Sequence, residues 1–254
     1  MVDQPSRAGA YLGDLTWEEA ATALATSVVV LPFAAGAKQH GPHLPLNTDQ
    51  LVMQHLLDAA VREKPVVVCP PILHGWFPAF RGYPGTEVAD AKVFQAYLEA
   101  VATSLINHGA GRLVFFNMGL GSATGLPISI VARDLRANHA VHTLVVSWDD
   151  LETADAEAHY EQLRGGHADE GETSILLFLK PESVHMDKAV QNYRSPGQPQ
   201  IGDRPGVFDR ASESGTFGDP TLATAEQGEA ILAIMRTNWL TALDQFAAGT
   251  SAAR

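Results

Sequence analysis

The sequence has a single cysteine, Cys69, and that scarcity removes two kinds of chemistry at once. One cysteine closes no intramolecular disulfide and builds no thiolate zinc site. Its setting, Val66-Val67-Val68-Cys69, reads as a buried strand end and not as a nucleophile. Basic residues are also few: 17 Lys and Arg stand against 29 Asp and Glu, a formal charge of −12, and no basic run occurs. Such a chain repels polyanions, so a nucleic-acid partner is not expected. No apolar run approaches the length of a membrane span, and Met1 to Gly9 lack the apolar core of a signal peptide, so a cytoplasmic location is expected.

What is present is an alternation of helical and strand signals. Thr16 can cap a helix from Trp17, with Glu18 and Glu19 in its first turn, where the helix dipole favours acids. Ser27 to Phe33 reads as a buried strand, Asp49 to Glu63 as a helix, Val66 to Cys69 as a strand, and Asp90 to His108 as a helix stopped by Gly109. Leu113 to Phe116 follows as a strand, Pro127 to Asn138 as a helix, Val141 to Ser147 as a strand, and Ala223 to Ala247 as a closing amphipathic helix. Lys188 to Thr221 is rich in Gly, Pro, Ser and Asp and reads as a long irregular segment. The pattern predicts an α/β fold, a mostly parallel central sheet with helices on both faces, in one domain spanning 1–254. Ligand chemistry is then expected beyond the carboxyl ends of the strands, in the loops after Phe33, Cys69, Phe116 and Ser147.

Two polar clusters stand out. Gly36 to Asp49 places His40, His43 and Asp49 on one Gly- and Pro-rich loop, where His and Asp can ligate zinc or manganese. By spacing alone this is a weak signal, since a His-x-x-His loop is more often structural. The second, His167 to Ser174, has the acids of a helix N-terminus; that explains Asp169 and Glu170 better than His167 or Glu172. Trp76, Phe77 and Tyr83 around the loop after the second strand, and Trp148 after the fourth, could line a planar-ligand pocket or form an oligomer contact.

Several segments, in order and with fitting gaps, resemble the creatininase family. They are GDLTWEEA from Gly13, VVVLPFAAGAKQHGPHLPLNTD ending at Asp49, Phe77-Pro78, Tyr83-Pro84-Gly85-Thr86, His167 to Ser174, Phe217-Gly218-Asp219-Pro220, Ala223-Thr224 and Gly228-Glu229. The resemblance implies an α/β amidohydrolase that uses two adjacent divalent metals to cleave C–N bonds in cyclic or linear amides. It also implies a small-molecule substrate and a homo-oligomer such as a hexamer. Carried over residue by residue, it offers His40, Asp49 and Glu172 as metal ligands and His167 as an acid–base residue. The chain departs from the family at two positions. Lys38 stands where the family has a ligand Glu, and Gly119 stands where an N-G-H-G-G-N turn would supply a ligand His. In members with a ligand Glu in that turn, Gly121 marks its place.

These losses fall on one metal of the two. The expectation is therefore a hydrolase with one divalent metal, zinc or manganese, on His40, Asp49 and Glu172, with Lys38, His167 and Glu172 as catalytic residues. Gly119 joins Trp76, Phe77, Tyr83 and Trp148 as a substrate-contact candidate. The alternatives are a metal-free member that uses Lys38 and His167 for another reaction on an amide-like substrate, and a non-catalytic ligand-binding descendant.

Overall fold

In a computed structural model of the chain, the described residues are 7–119, 121–193 and 212–249, and the side chains of 121–124 are outside the description. The elements run in order as β1 (Ala10–Tyr11), α1 (Trp17–Thr26), β2 (Val28–Phe33), α2 (Thr48–Glu63), β3 (Val66–Val68), α3 (Ala91–Asn107), β4 (Arg112–Asn117), α4 (Gly121–Asn138) and β5 (His142–Ser147). Two short helices follow, α5 (Trp148–Leu151) and α6 (Ala154–Glu157), and then α7 (Glu170–Leu179) and α8 (Ala225–Ala247). The strands form one parallel sheet in the order β1-β3-β2-β4-β5. The expected parallel α/β architecture is therefore present. The two-residue edge strand β1 was not anticipated, because its register with Val67 and Val68 is a tertiary pairing that so short a segment does not announce.

All six residues of β2 are buried, as a central strand covered on both faces requires. Alternate side chains feed two cores. Val28 and Val30 pack with Val68, Val114 and Phe116 under α2, α7 and α8, while Val29, Leu31 and Phe33 pack with Val67, Leu113 and Phe115 under α1, α3 and α4. Pro32 has no N–H for the ladder. It sits at a break in the β2–β3 ladder, where Pro70 and Pro71 separate the Cys69 N–H bond to the Val30 carbonyl from the Ile72 N–H bond to the Pro32 carbonyl. Thr16 caps α1 in a full capping box with Glu19, as its sequence predicts. Cys69 is buried, and burial pushes its thiol up to about 12, so it is inert.

Glycine decides how tightly α7 and α8 meet. A Cβ on Gly228 would sit 1.9 Å from the Ser174 carbonyl oxygen, so only glycine allows this approach. Thr224, the α8 N-cap, bonds Gln227 N–H and donates its own N–H to Ser174 Oγ. The middle of the irregular Lys188–Thr221 stretch, 194–211, lies outside the described residues. No helix among the described residues is long and apolar enough to cross a membrane.

Candidate active site

The strand carboxyl ends point the loop after β2 and the start of α7 at each other. Lys38 N–H donates to the Leu46 carbonyl at 2.9 Å and closes the loop on itself, while Gln39 N–H donates to Thr86 Oγ1 at 3.0 Å and fixes it from outside. His43 Nε2 meets Thr173 Oγ1 at 2.8 Å and ties the same loop to α7. Burial, with help from His40, pushes His43 down to about 4, so it is neutral, and it stands outside the group formed by His40, His167 and Glu172.

Three side chains converge. His40 Nε2, His167 Nδ1 and Glu172 each offer one ligand atom, and these atoms lie within 4.8 Å of one another. The tautomers follow from the backbone. His40 Nδ1 lies 2.9 Å from the Lys38 carbonyl and His167 Nε2 lies 2.8 Å from the Gln39 carbonyl. A carbonyl can only accept, so both nitrogens carry hydrogen. The opposite ring nitrogens are then turned toward carboxylates. His40 Nε2 stands 2.8 Å from Asp49 Oδ1 and 3.9 Å from Glu172 Oε1, and His167 Nδ1 stands 3.6 Å from Glu172 Oε2. Acceptors facing acceptors in a buried site call for a proton or a cation between them.

A divalent metal fits this donor set. Two imidazoles oriented by carbonyls, plus one carboxylate, make the usual three-ligand set of an open zinc site, with the orienting bonds metal-binding histidines normally make. Ligand atoms about 2.1 Å from a metal are about 3.4 Å apart in a tetrahedron, so from a spread of up to 4.8 Å the widest pair must close by up to about 1.4 Å.

Asp49 holds a different position. Its Oδ1 faces His40, while its Oδ2 lies 2.8 Å from Lys38 Nζ. Burial alone would raise this carboxyl, but the Lys38 ammonium and His40 override it and hold Asp49 well below the usual carboxylate range. Burial raises Glu172, against the pull of His40 and Lys38. Burial also drives His167 far below the ordinary histidine value, with His40 and Lys38 adding to the effect, so it is neutral.

A cavity of about 100 Å³ opens above this cluster. That is room for several waters or for the reacting end of a ligand. Gly119 and Trp148 line it, together with Lys38, His167 and Glu172. Trp76, Phe77 and Tyr83 are not among its lining residues. Phe77 and Tyr83 are buried in an apolar cluster with Ala35, Ala79 and Phe80, and Trp76 packs against the core on the α3 side. Their aromatic character serves packing, and Phe77 and Phe80 lie beneath Lys38, each ring centre 5.5 Å from Nζ. Sequence reasoning missed Glu152, which is on the cavity wall with Asp149. Burial and the nearby Asp169 charge push Glu152 up to about 7, opposed by hydrogen bonds from Tyr160 and Trp148. The signal available was the acidic stretch Trp148-Asp149-Asp150-Leu151-Glu152 directly after a strand end.

His167 itself is pinned by Phe217, whose N–H donates to the His167 carbonyl at 2.8 Å while His167 N–H donates back at 3.3 Å. Ala168, at φ 47°, takes a left-handed conformation that bends the chain sharply between His167 and the α7 cap Asp169.

Residues 13–243 match the Creatininase family, described as creatinine amidohydrolase. The chain belongs to the creatininase family. A mycofactocin precursor peptide peptidase from Mycolicibacterium smegmatis is 31% identical over 216 residues, covering 82% of this chain and 81% of that protein. A creatinine amidohydrolase from Pseudomonas putida is 26% identical, covering 88% of this chain and 92% of its own length. A solved structure described as creatininase Mn superposes with a TM-score of 0.79 at 26% identity, covering 93% of this chain and 98% of that one. The creatininase family uses divalent metals, and its solved members include this manganese form and a Zn-Zn form. The chain is a creatininase-family hydrolase by descent.

Proposed function

We propose that this chain hydrolyses the C–N bond of a small cyclic or linear amide at a site holding one divalent metal, zinc or manganese. The observation that carries this reading is the convergence of His40, His167 and Glu172, with both imidazoles turned inward by backbone carbonyls. Asp49 supports the reading from beside His40. Relatives named for cleaving a precursor peptide and for hydrolysing creatinine support amide chemistry. The same reading includes a homo-oligomeric assembly and a cytoplasmic location.

A metal bound here would supply Lewis acidity and lower the pKa of a water beside the substrate carbonyl. The chain's own residues do the rest. Glu172 would hold the metal through one carboxylate oxygen, leaving the other to take the proton of the attacking water and return it to the leaving nitrogen. His167, neutral and held by Gln39 and Phe217, keeps its Nδ1 lone pair aimed inward as one of the three atoms that would hold the metal. Trp148 and Met118 wall the cavity and limit water access.

The test is amine release from a panel of cyclic ureas, lactams, formamides and short peptides, with protein loaded with zinc or manganese and then chelated. Release that stops on chelation and returns with metal supports the proposal; no release from any member in either metal form would refute it. The ion pair between Lys38 and Asp49 favours one competing reading, a metal-free enzyme that relies on Lys38 and His167. Turnover that survives chelation would decide for it.

A further inference from the structure

We infer that the Lys38 ammonium is a built-in cation occupying the seat of a second metal, so the site is mononuclear by construction. This deepens the one-metal reading above, but its own evidence is independent of the reaction. Lys38 is only 2% exposed, yet its Nζ reaches the cavity wall and lies 2.8 Å from Asp49 Oδ2. A buried ammonium is retained only where something compensates its desolvation. Here the Asp49 carboxylate does so, and the Phe77 and Phe80 rings add their quadrupoles at 5.5 Å.

The charge arithmetic matches. A divalent metal with one added carboxylate ligand brings a net single positive charge to Asp49, and Lys38 alone brings the same. The geometry matches as well. Gly119 lines the same cavity and offers no side-chain donor, so at this position the turn after β4 brings no ligand toward Lys38. A cation placed at Asp49 Oδ2 would meet an ammonium already within bonding distance of that oxygen. Facing the cavity, that ammonium can donate to a carbonyl oxygen as it gains negative charge, which is the electrostatic task left open by a missing metal.

Zinc stoichiometry, measured by equilibrium dialysis on untagged full-length protein, tests this. The wild type is expected to saturate at about one zinc per chain in excess zinc. Gly119→His with Lys38 retained should also stay at about one. Lys38→Glu combined with Gly119→His should take up a second. Two zincs in the wild type, a second zinc in Gly119→His alone, or only one in the double variant would overturn the inference.

Thermal unfolding of the zinc-free protein gives a separate readout that needs neither metal nor turnover. Lys38→Met should lower Tm by about 5–10 °C by stranding the Asp49 charge, and adding Asp49→Asn should recover most of the loss. An unchanged Tm in Lys38→Met would contradict the pairing. A wild type that binds no zinc but shows this Tm pattern would sink the hydrolase reading and leave Lys38 as the site's cation.

Discussion

The loop after β2 and the turn after β4 end at the same edge of the sheet, yet they bring different chemistry to it. The first presents Lys38, His40 and Asp49, each buried and each bonded to a named partner. The second presents Met118 and Gly119, and its only described side-chain hydrogen bond is internal, from Gly119 N–H to Asn117 Oδ1 at 3.1 Å. The difference teaches where charge enters the site: the loop after β2 brings an ammonium and a carboxylate, and Gly119 brings no side chain, which is the asymmetry the proposed one-metal reading rests on.

The comparison breaks most directly at the trio. His167→Ala should lower hydrolysis by at least about 100-fold and weaken zinc binding by at least about 10-fold. Removing a ligand costs no less than removing the group that orients one. Steady-state rates and competitive zinc titration check this, and near-normal values for both would remove His167 from the site.

The next effect lies in the scaffold behind α7. Gly228→Ala drives a methyl into the Ser174 carbonyl and should destabilise the fold by about 1–3 kcal/mol, read from urea unfolding. An unchanged midpoint would show that α7 can move, and that the placement of Glu172 is softer than described.

Smaller still, Thr86→Val removes the hydrogen bond to Gln39 N–H and should cost about 1 kcal/mol. It should raise KM or lower kcat modestly without changing zinc stoichiometry.

The subtlest effect is in pH. Glu152 is raised to about 7 in the fold, so its contribution to stability is present below its ordinary value and is lost as pH rises through 7. Glu152→Gln should therefore flatten the fall in stability between pH 5 and 8. His43 has the opposite sense: its value of about 4 means stability is lost as pH falls from 6.5 toward 4. Equal pH slopes in Glu152→Gln and the wild type would show that Glu152 ionises normally.

Much of the scaffold was legible in the sequence. Valine-rich runs marked β2 and β3, and Thr16 and Gly109 marked helix ends, because these signals are local. The segments that betrayed the family proved to be largely structural. Thr86 holds Gln39, Phe217 holds His167, Gly228 lets α8 reach α7, and Thr224 caps α8. What was not legible depended on distance in sequence. Nothing local says that His167 Nδ1 and His40 Nε2 face one carboxylate, since that follows from two backbone carbonyls at positions 38 and 39. Nor does Phe77 announce that it lies beneath an ammonium and not on a cavity wall. An aromatic beside a glycine suits either role until the fold decides.

The most direct test of the central claim is the metal content of wild-type protein purified without an affinity tag, before and after incubation with zinc or manganese. The account predicts about one metal per chain, lost on His40→Ala or His167→Ala and never rising to two in the wild type. A chain that binds none under any loading condition, or that binds two, would contradict it.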